Sequence, residues 1–294
     1  MINRITSLPE YLEKYQESIT NPEDFWADIA KENFWRKKWD KILEWRFDGP
    51  DAPQVKWFEG GKLNITENIF ERNMFQRKNQ VAIIWEPNDP KEKEVRLTYG
   101  ELFDKVKQFA NSLKKLGIEK GDRVAIYLPM IPELAIAMLA CARIGAVHSI
   151  VFAGFSATAL ADRINDSSCK IVITSDGAYR GTKSIPLKAI VDESLENCPS
   201  VKNAIVFKRT GEDISFIEGR DIWWHDLIEG VSSFNDAEVM DSEDTLFILY
   251  TSGSTGTPKG VQHNSAGYIL WAQMTMEWVF DVKERSEERR VGKE

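Results

Sequence analysis

Leu246-Phe247-Ile248-Leu249-Tyr250 is an unbroken apolar run that passes directly into Thr251-Ser252-Gly253-Ser254-Thr255-Gly256-Thr257-Pro258-Lys259-Gly260. A short apolar run bounded by a Gly/Ser/Thr stretch reads as a strand buried on both faces, as in parallel sheets. Working outward, the sequence from about residue 80 exchanges short β-rich runs for longer amphipathic segments. Strands are expected at 81–85, 123–128, 146–152, 170–174, 203–207 and 245–250. Helices are expected from about Leu102 to Leu116, closed by Gly117, at 131–144, 156–166 and 186–196, near Ile222 to Ile228, and after Asn264. Strands alternating with helices of this length predict an α/β fold, a parallel sheet flanked by helices. Open parallel sheets take ligands at the carboxyl ends of their strands, which is where the loop after Tyr250 begins.

That loop has the composition of a phosphate cradle. Holding a polyphosphate requires backbone N–H groups turned into one concavity, hydroxyls that donate, and a cation. Gly253, Gly256 and Gly260 remove side chains that would block close approach. Thr251, Ser252, Ser254, Thr255 and Thr257 supply hydroxyls, Lys259 supplies charge, and Pro258 fixes the direction of the chain before it. Gly256 is followed by Thr257-Pro258 rather than Lys-Ser, so the spacing is not that of a Walker loop.

The remaining features bound the function class. The chain has 294 residues, 43% of them hydrophobic, and a formal net charge of −8. This is a globular composition without the basic balance that nucleic-acid binding needs. Cys141, Cys169 and Cys198 lack disulfide or zinc spacing and read as buried reduced thiols. His148, His225 and His263 lack metal-ligand spacing, so no protein metal site is expected. Met1 to Glu17 lacks the basic start and apolar run of a secretory signal. The longest apolar stretch, Ile126 to Ile144, is interrupted by prolines and charges, and a cytoplasmic location without membrane association follows as the expectation. Residues 1–75 differ from the rest: Phe25, Trp26, Ile29, Phe34, Trp35, Trp39, Ile42 and Trp45 fall partly at helical spacing, giving a Trp-rich helical leader that the prolines of Asp48–Pro53 interrupt.

Thr251 to Gly260 matches [ST]-[SG]-G-[ST]-T-G-x-P-K-G, and the chain is thereby identified as resembling the adenylate-forming superfamily, which includes acyl-CoA synthetases, luciferases and peptide-synthetase adenylation domains. Within it, the Trp-rich leader, Gly61 to Thr66, Gly121 to Met130 and Gly145 to Ser156 are similar to the acetyl-CoA synthetase family. Propionyl-CoA synthetases share much of this and stay open as the alternative. The resemblance implies a ligase that converts acetate and Mg2+-ATP to acetyl-AMP and pyrophosphate and then transfers the acetyl group to CoA. It implies that the 251–260 loop, through Thr251, Ser252, Gly253, Ser254, Thr255, Gly256, Thr257, Lys259 and Gly260, grips the β- and γ-phosphates, with Lys259 as the catalytic cation. It also implies a CoA site at Arg180, Gly181, Thr182 and Lys183, with Gly154 where the coenzyme passes close to the backbone. The family has a second arginine where Lys183 stands, and often a second glycine where Ala153 stands. Two cations beside a glycine would otherwise read as a solvated loop.

By the same resemblance, residues 76–284 form a partial AMP-binding domain. The acyl pocket, the adenine and ribose motif, and a C-terminal domain with its catalytic lysine, on which Lys-modifying regulators would act, are expected beyond this chain. Arg285–Glu294, RSEERRVGKE, reads as translated sequencing adapter and is expected to be non-native. A non-catalytic nucleotide- or CoA-binding protein is the alternative class, and an unrelated ATP-dependent kinase or transporter subunit is disfavoured by the failed Walker spacing.

Overall fold

The computed structural model describes residues 5–89, 91–181, 183–251 and 258–282. Ser252–Thr257, Thr182 and Arg285–Glu294 lie outside the described residues. The chain divides into two compact units.

The larger unit, Asn64–Met240 with Asp244–Asn264, is built on a seven-stranded sheet. Its strands are β1 Arg123–Tyr127, β2 Val147–Ile150, β3 Ile171–Ser175, β4 Asn203–Phe207, β5 Asp221–Trp223, β6 Thr245–Thr251 and β7 Lys259–Asn264. Their spatial order is β5-β4-β3-β1-β2-β6-β7. Six strands run parallel, and β7 is an antiparallel edge paired with β6. The strand β7 is not expected from its sequence, Lys-Gly-Val-Gln-His-Asn, and makes the sheet mixed rather than purely parallel. An antiparallel edge on an otherwise parallel sheet needs only one face and one ladder satisfied, so a mostly polar strand suffices.

Alternation along the central strands divides the core between two faces. Val124, Ile126, Ile171 and Ile173 pack with Phe109, Leu113 and Ile136 of the helices Tyr99–Lys115 and Pro132–Arg143. Ala125, Tyr127 and Val172 pack with Leu160, Ile164, Leu187 and Val191 of the helices Ala157–Ser167 and Leu187–Leu195. The first helix starts at a reciprocal cap. Glu101 N–H donates to the Thr98 hydroxyl at 3.2 Å, and Thr98 N–H donates to the Glu101 carboxylate at 2.8 Å. The segment expected as a helix near Ile222 is first a strand, β5, and helical only over Trp224–Ile228. Asp221 is held at the start of β5 by the fully buried Lys188 at 2.8 Å, and Trp224 then stacks on Phe109 at 3.7 Å. Cys141, Cys169 and Cys198 are all free and buried.

The smaller unit comprises the described parts of Met1–Leu63, Asp241–Glu243 and Ser265–Glu294. The leader is helical over Leu8–Thr20 and Pro22–Ala30. Past Ala30 the helical expectation gives way: Lys41–Arg46 is a strand paired antiparallel with Gln54–Glu59, and the proline-containing Asp48–Pro53 segment is the connection between them. Cross-strand pairing and an aromatic cluster of Trp35, Trp39 and Phe58, with ring centroids 5.0–5.5 Å apart, outweigh the approximate helical spacing of the tryptophans. The helix expected after Asn264 spans Ser265–Trp278. No helix among the described residues is long and apolar enough to cross a membrane.

Candidate functional site

Two site elements stand at the carboxyl ends of the parallel strands. The first is the β6–β7 hairpin. Thr251 and Lys259 face each other across its ladder at the carboxyl end of β6, with Tyr250 opposite Gly260. Thr251 and Lys259 are both exposed. The inner end of β6 is buried: Phe247 lies opposite His148 of β2, their rings 5.4 Å apart. Burial pushes the His148 pKa down to about 4, so the ring is neutral in the folded protein.

Gly260 has a reason to be glycine in this hairpin. A Cβ there would come within 3.2 Å of the Tyr250 ring and 3.1 Å of Ile248 Cγ2. The absent side chain therefore makes room for Tyr250 at the root of the loop. On its other side Tyr250 meets the guanidinium of Arg163, 5.4 Å from its ring centroid, and its hydroxyl donates to Asp166 Oδ2 at 2.6 Å. Burial and the neighbouring Asp166 carboxylate push the Tyr250 phenol well above its ordinary pKa, keeping it a donor. Arg163 also covers Phe155 at 4.9 Å, and Tyr127 at the end of β1 donates to the Phe155 carbonyl at 2.7 Å. Helix Ala157–Ser167 thus fastens both the loop root and the turn after β2.

The second element is a cleft of about 550 Å³ across the ends of β2, β1, β3 and β4, with Ala153, Tyr179, Arg180 and Arg209 among its lining residues. Chain order reverses here, since β2 lies on one side of β1 and β3 on the other, the position at which open α/β sheets hold ligands. Arg180 ends a strand, Ala178–Arg180, that pairs with Lys183–Ile185, and Lys183 lies directly opposite Arg180. Gly181 takes the turn with φ +61°, and its carbonyl accepts from Asn88 Nδ2 at 2.6 Å. Arg180 and Lys183 are exposed, with Arg180 on the cleft wall. Gly154 follows the cleft-lining Ala153, and a Cβ on it would meet the Phe152 ring at 3.0 Å.

The expected residues therefore fall into two groups. Thr251, Lys259 and Gly260 belong to the hairpin; Arg180 lines the cleft, Gly154 and Gly181 are chain neighbours of its lining residues, and Lys183 pairs with Arg180. Sequence reading missed the groups that fasten them. Asp176, 1% exposed, accepts from the backbone N–H groups of Gly177, Arg209, Thr210 and Gly211 at 2.7–2.9 Å. Arg209 is clasped by Glu92 and by two aromatic rings. An acid followed by glycine immediately after a predicted strand, Asp176-Gly177, is the one local sign that a backbone clip stands there.

The AMP-binding enzyme family matches residues 70–291, and the acetyl-coenzyme A synthetase N-terminus matches residues 11–69. Among curated relatives, the acetyl-coenzyme A synthetase of Alkalilimnicola ehrlichii is 53% identical over 93% of this chain, and that of Rubrobacter xylanophilus 51% identical over 92%. The chain spans 42% and 41% of the lengths of these two relatives. Acetoacetyl-CoA synthetase from Streptomyces lividans superposes with a TM-score of 0.82 at 25% identity, covering 91% of this chain and 40% of that structure. With a doubly flanked sheet and family matches across residues 11–291, the chain belongs to the AMP-binding enzyme family, among those members that carry the acetyl-coenzyme A synthetase N-terminus.

Proposed function

We propose that the protein of which these residues form a part activates acetate with Mg2+-ATP, giving acetyl-AMP and pyrophosphate, and passes the acetyl group to CoA. The observation that carries this reading is the pairing, in one chain, of the acetyl-coenzyme A synthetase N-terminus at 11–69 with the AMP-binding family at 70–291. Relatives at about half identity that bear the name acetyl-coenzyme A synthetase support the choice of acetate. In the first half-reaction a carboxylate oxygen of acetate bonds to the α-phosphorus as the bond to the bridging oxygen breaks and pyrophosphate leaves. Negative charge accumulates on the leaving group, and Lys259, an exposed cation facing Thr251 across the hairpin, would offset it. Thr251 opposite it would contribute a donor to the same phosphates, with Ser252–Thr257 completing the loop and Mg2+ arriving with the nucleotide. In the second half-reaction the CoA thiolate displaces AMP, with Arg180 and the exposed Lys183 holding the nucleotide end of the coenzyme. The substitution of lysine for a forked cation keeps charge at that position without bidentate geometry. The buried free thiols support a reducing, cytoplasmic setting for this chemistry.

The test is acetate-dependent exchange of pyrophosphate into ATP by the polypeptide of the whole reading frame, with propionate as the competing acid. Lys259→Ala is expected to slow exchange about 100-fold. Because Lys259 is exposed, its melting temperature should not move. Unaltered exchange in that variant, or a preference for propionate, overturns the assignment.

A further inference from the structure

We propose that Arg209 is a positioning residue for the nucleotide end of the coenzyme cleft: it fixes the wall from which Arg180 projects, without itself gripping a phosphate. This deepens the coenzyme reading of the cleft and rests on it.

Arg209 lines the cleft and carries a guanidinium, so a direct phosphate contact is the first possibility to weigh. Its fork is already closed. Nη1 and Nη2 donate to the two Glu92 carboxylate oxygens at 2.8 Å each, the bidentate geometry a phosphate would otherwise occupy. The planar group also has the Trp85 and Tyr179 rings within reach, each centroid 5.2 Å from Cζ. The backbone is fixed as well, because Arg209 N–H donates to the buried Asp176 carboxylate at 2.7 Å. A side chain held at its root, its fork and beside two rings has little freedom left for a ligand.

What this arrangement does is join three segments that are remote in sequence: the Trp85–Glu92 stretch, the Asp176–Arg180 stretch and the end of β4. Tyr179 precedes Arg180 on the short strand of the cleft wall and is 45% exposed. Such a half-exposed ring would sample several rotamers unless something held it. Cation–π contact with Arg209 does so, and the direction of Arg180 depends on that of its neighbour's backbone. Trp85 and Arg209 also line a second cavity, of about 380 Å³, bounded by Glu92 and Glu133 among others. Arg209 is thus part of the partition between the two spaces, and truncating it would let the cleft wall sag toward the second one.

The discriminating measurement is the ratio of affinities for CoA and 3′-dephospho-CoA, by calorimetry on the full chain, because only the cationic end of the cleft senses the 3′-phosphate. Wild type should favour CoA by about tenfold or more, a charge-assisted contact, and Arg180→Ala should bring the ratio close to one. Arg209→Ala should reduce the ratio to about threefold or less, and Arg209→Lys, which keeps the charge beside Glu92 but loses the flat group between the rings, should fall between. A merely structural arginine would lower the melting temperature and weaken both ligands equally, so an unchanged ratio in Arg209→Ala overturns the proposal. If Arg209→Ala does not fold, Glu92→Gln serves in its place: it opens the fork at a partly exposed partner and should lower the ratio, and an unchanged ratio overturns the proposal equally. A wild-type ratio near one defeats the coenzyme reading itself, and is recognisable because Arg180→Ala then also has no effect.

Discussion

The β6–β7 hairpin and the Arg180 wall stand at the same end of one sheet and are fastened in different ways. The hairpin is held by its own ladder, by the fit of Tyr250 against Gly260, by the Arg163 guanidinium over the Tyr250 ring, and by one hydroxyl on a surface carboxylate. The Arg180 wall is held by a buried carboxylate with four backbone donors and by an arginine clasped between an acid and two rings. A loop that admits and releases a polyphosphate, as proposed for this one, would gain from shallow fastening at its mouth. A wall that presents one cation in one direction, as proposed for Arg180, would gain from preorganisation. The difference should appear as a difference in the stability cost of disturbing each region.

The largest effect is expected at Asp176. Replacing it with alanine leaves four N–H donors in a largely buried place without a partner, and charge-assisted bonds of this kind are worth about 1.5–3 kcal/mol each before relaxation and water entry. A net loss of about 3–4 kcal/mol in urea unfolding is expected. Asp176→Asn should recover only part of it, because the amide nitrogen turns a donor toward donors. A loss smaller than that of any hairpin variant would erase the contrast between the two regions.

The inner end of β6 gives the next largest effect, and through pH. His148, beneath Phe247, has its pKa lowered to about 4 by burial from an ordinary value of 6.5. The unfolded chain therefore takes up the proton first as pH falls. Stability is fully present above the ordinary value and is lost as pH drops from there toward about 4, amounting to about 2 kcal/mol by about pH 5. His148→Met should flatten that slope in denaturation series at several pH values. An equal slope in the variant would mean that the buried inner end of β6, beside His148, is not a pH-sensitive anchor.

How much of each region could be read in the sequence follows the same division. The inner strands are legible because Val124, Ala125, Ile126 and their counterparts carry their burial in local composition. The loop carries an expectation of its own, because a phosphate cradle demands glycine, hydroxyl and cation within one short segment, and Thr251 to Gly260 supply all three. The strand Lys259–Asn264 is not, since a polar edge with only Val261 apolar resembles a loop until its partner is known. In the leader, Ile42 and Trp45 stand three apart as on a helix, and only pairing with Gln54–Glu59 reveals a strand. Arg180 came into view through resemblance alone, whereas Trp85, Glu92, Asp176 and Arg209 meet only after the chain has crossed the sheet several times. No window of sequence contains them together, so no periodicity could have reported them.

Gly260→Ala tests the fit at the hairpin. The new methyl would stand 3.1–3.2 Å from Ile248 and the Tyr250 ring, tighter than ordinary contact, and both neighbours are partly exposed and can yield. A loss of about 1–2 kcal/mol is expected by thermal unfolding, at the lower end of overpacking costs. Tyr250→Ala in the same background should relieve most of it, because the ring is what the methyl strikes; two losses that simply add would show that the glycine serves some other need.

Tyr250→Phe is expected to have the smallest effect and the sharpest meaning. It removes one hydroxyl, whose bond to Asp166 is 2.6 Å long but lies at the surface, so a stability loss of about 0.5–1.5 kcal/mol is the range to expect. The ring keeps its place between Gly260 and Arg163, so packing is unchanged. Asp166 is left solvated rather than stranded, which is why the cost stays low where the loss of Asp176 does not. Asp166→Ala should match Tyr250→Phe within about a few tenths of a kcal/mol, and the double variant should lose little more than either alone, because both remove the same 2.6 Å bond. A loss near that of Asp176→Ala would mean the loop root is fastened as rigidly as the cleft wall, and the idea that the two regions are built for different degrees of movement would fail.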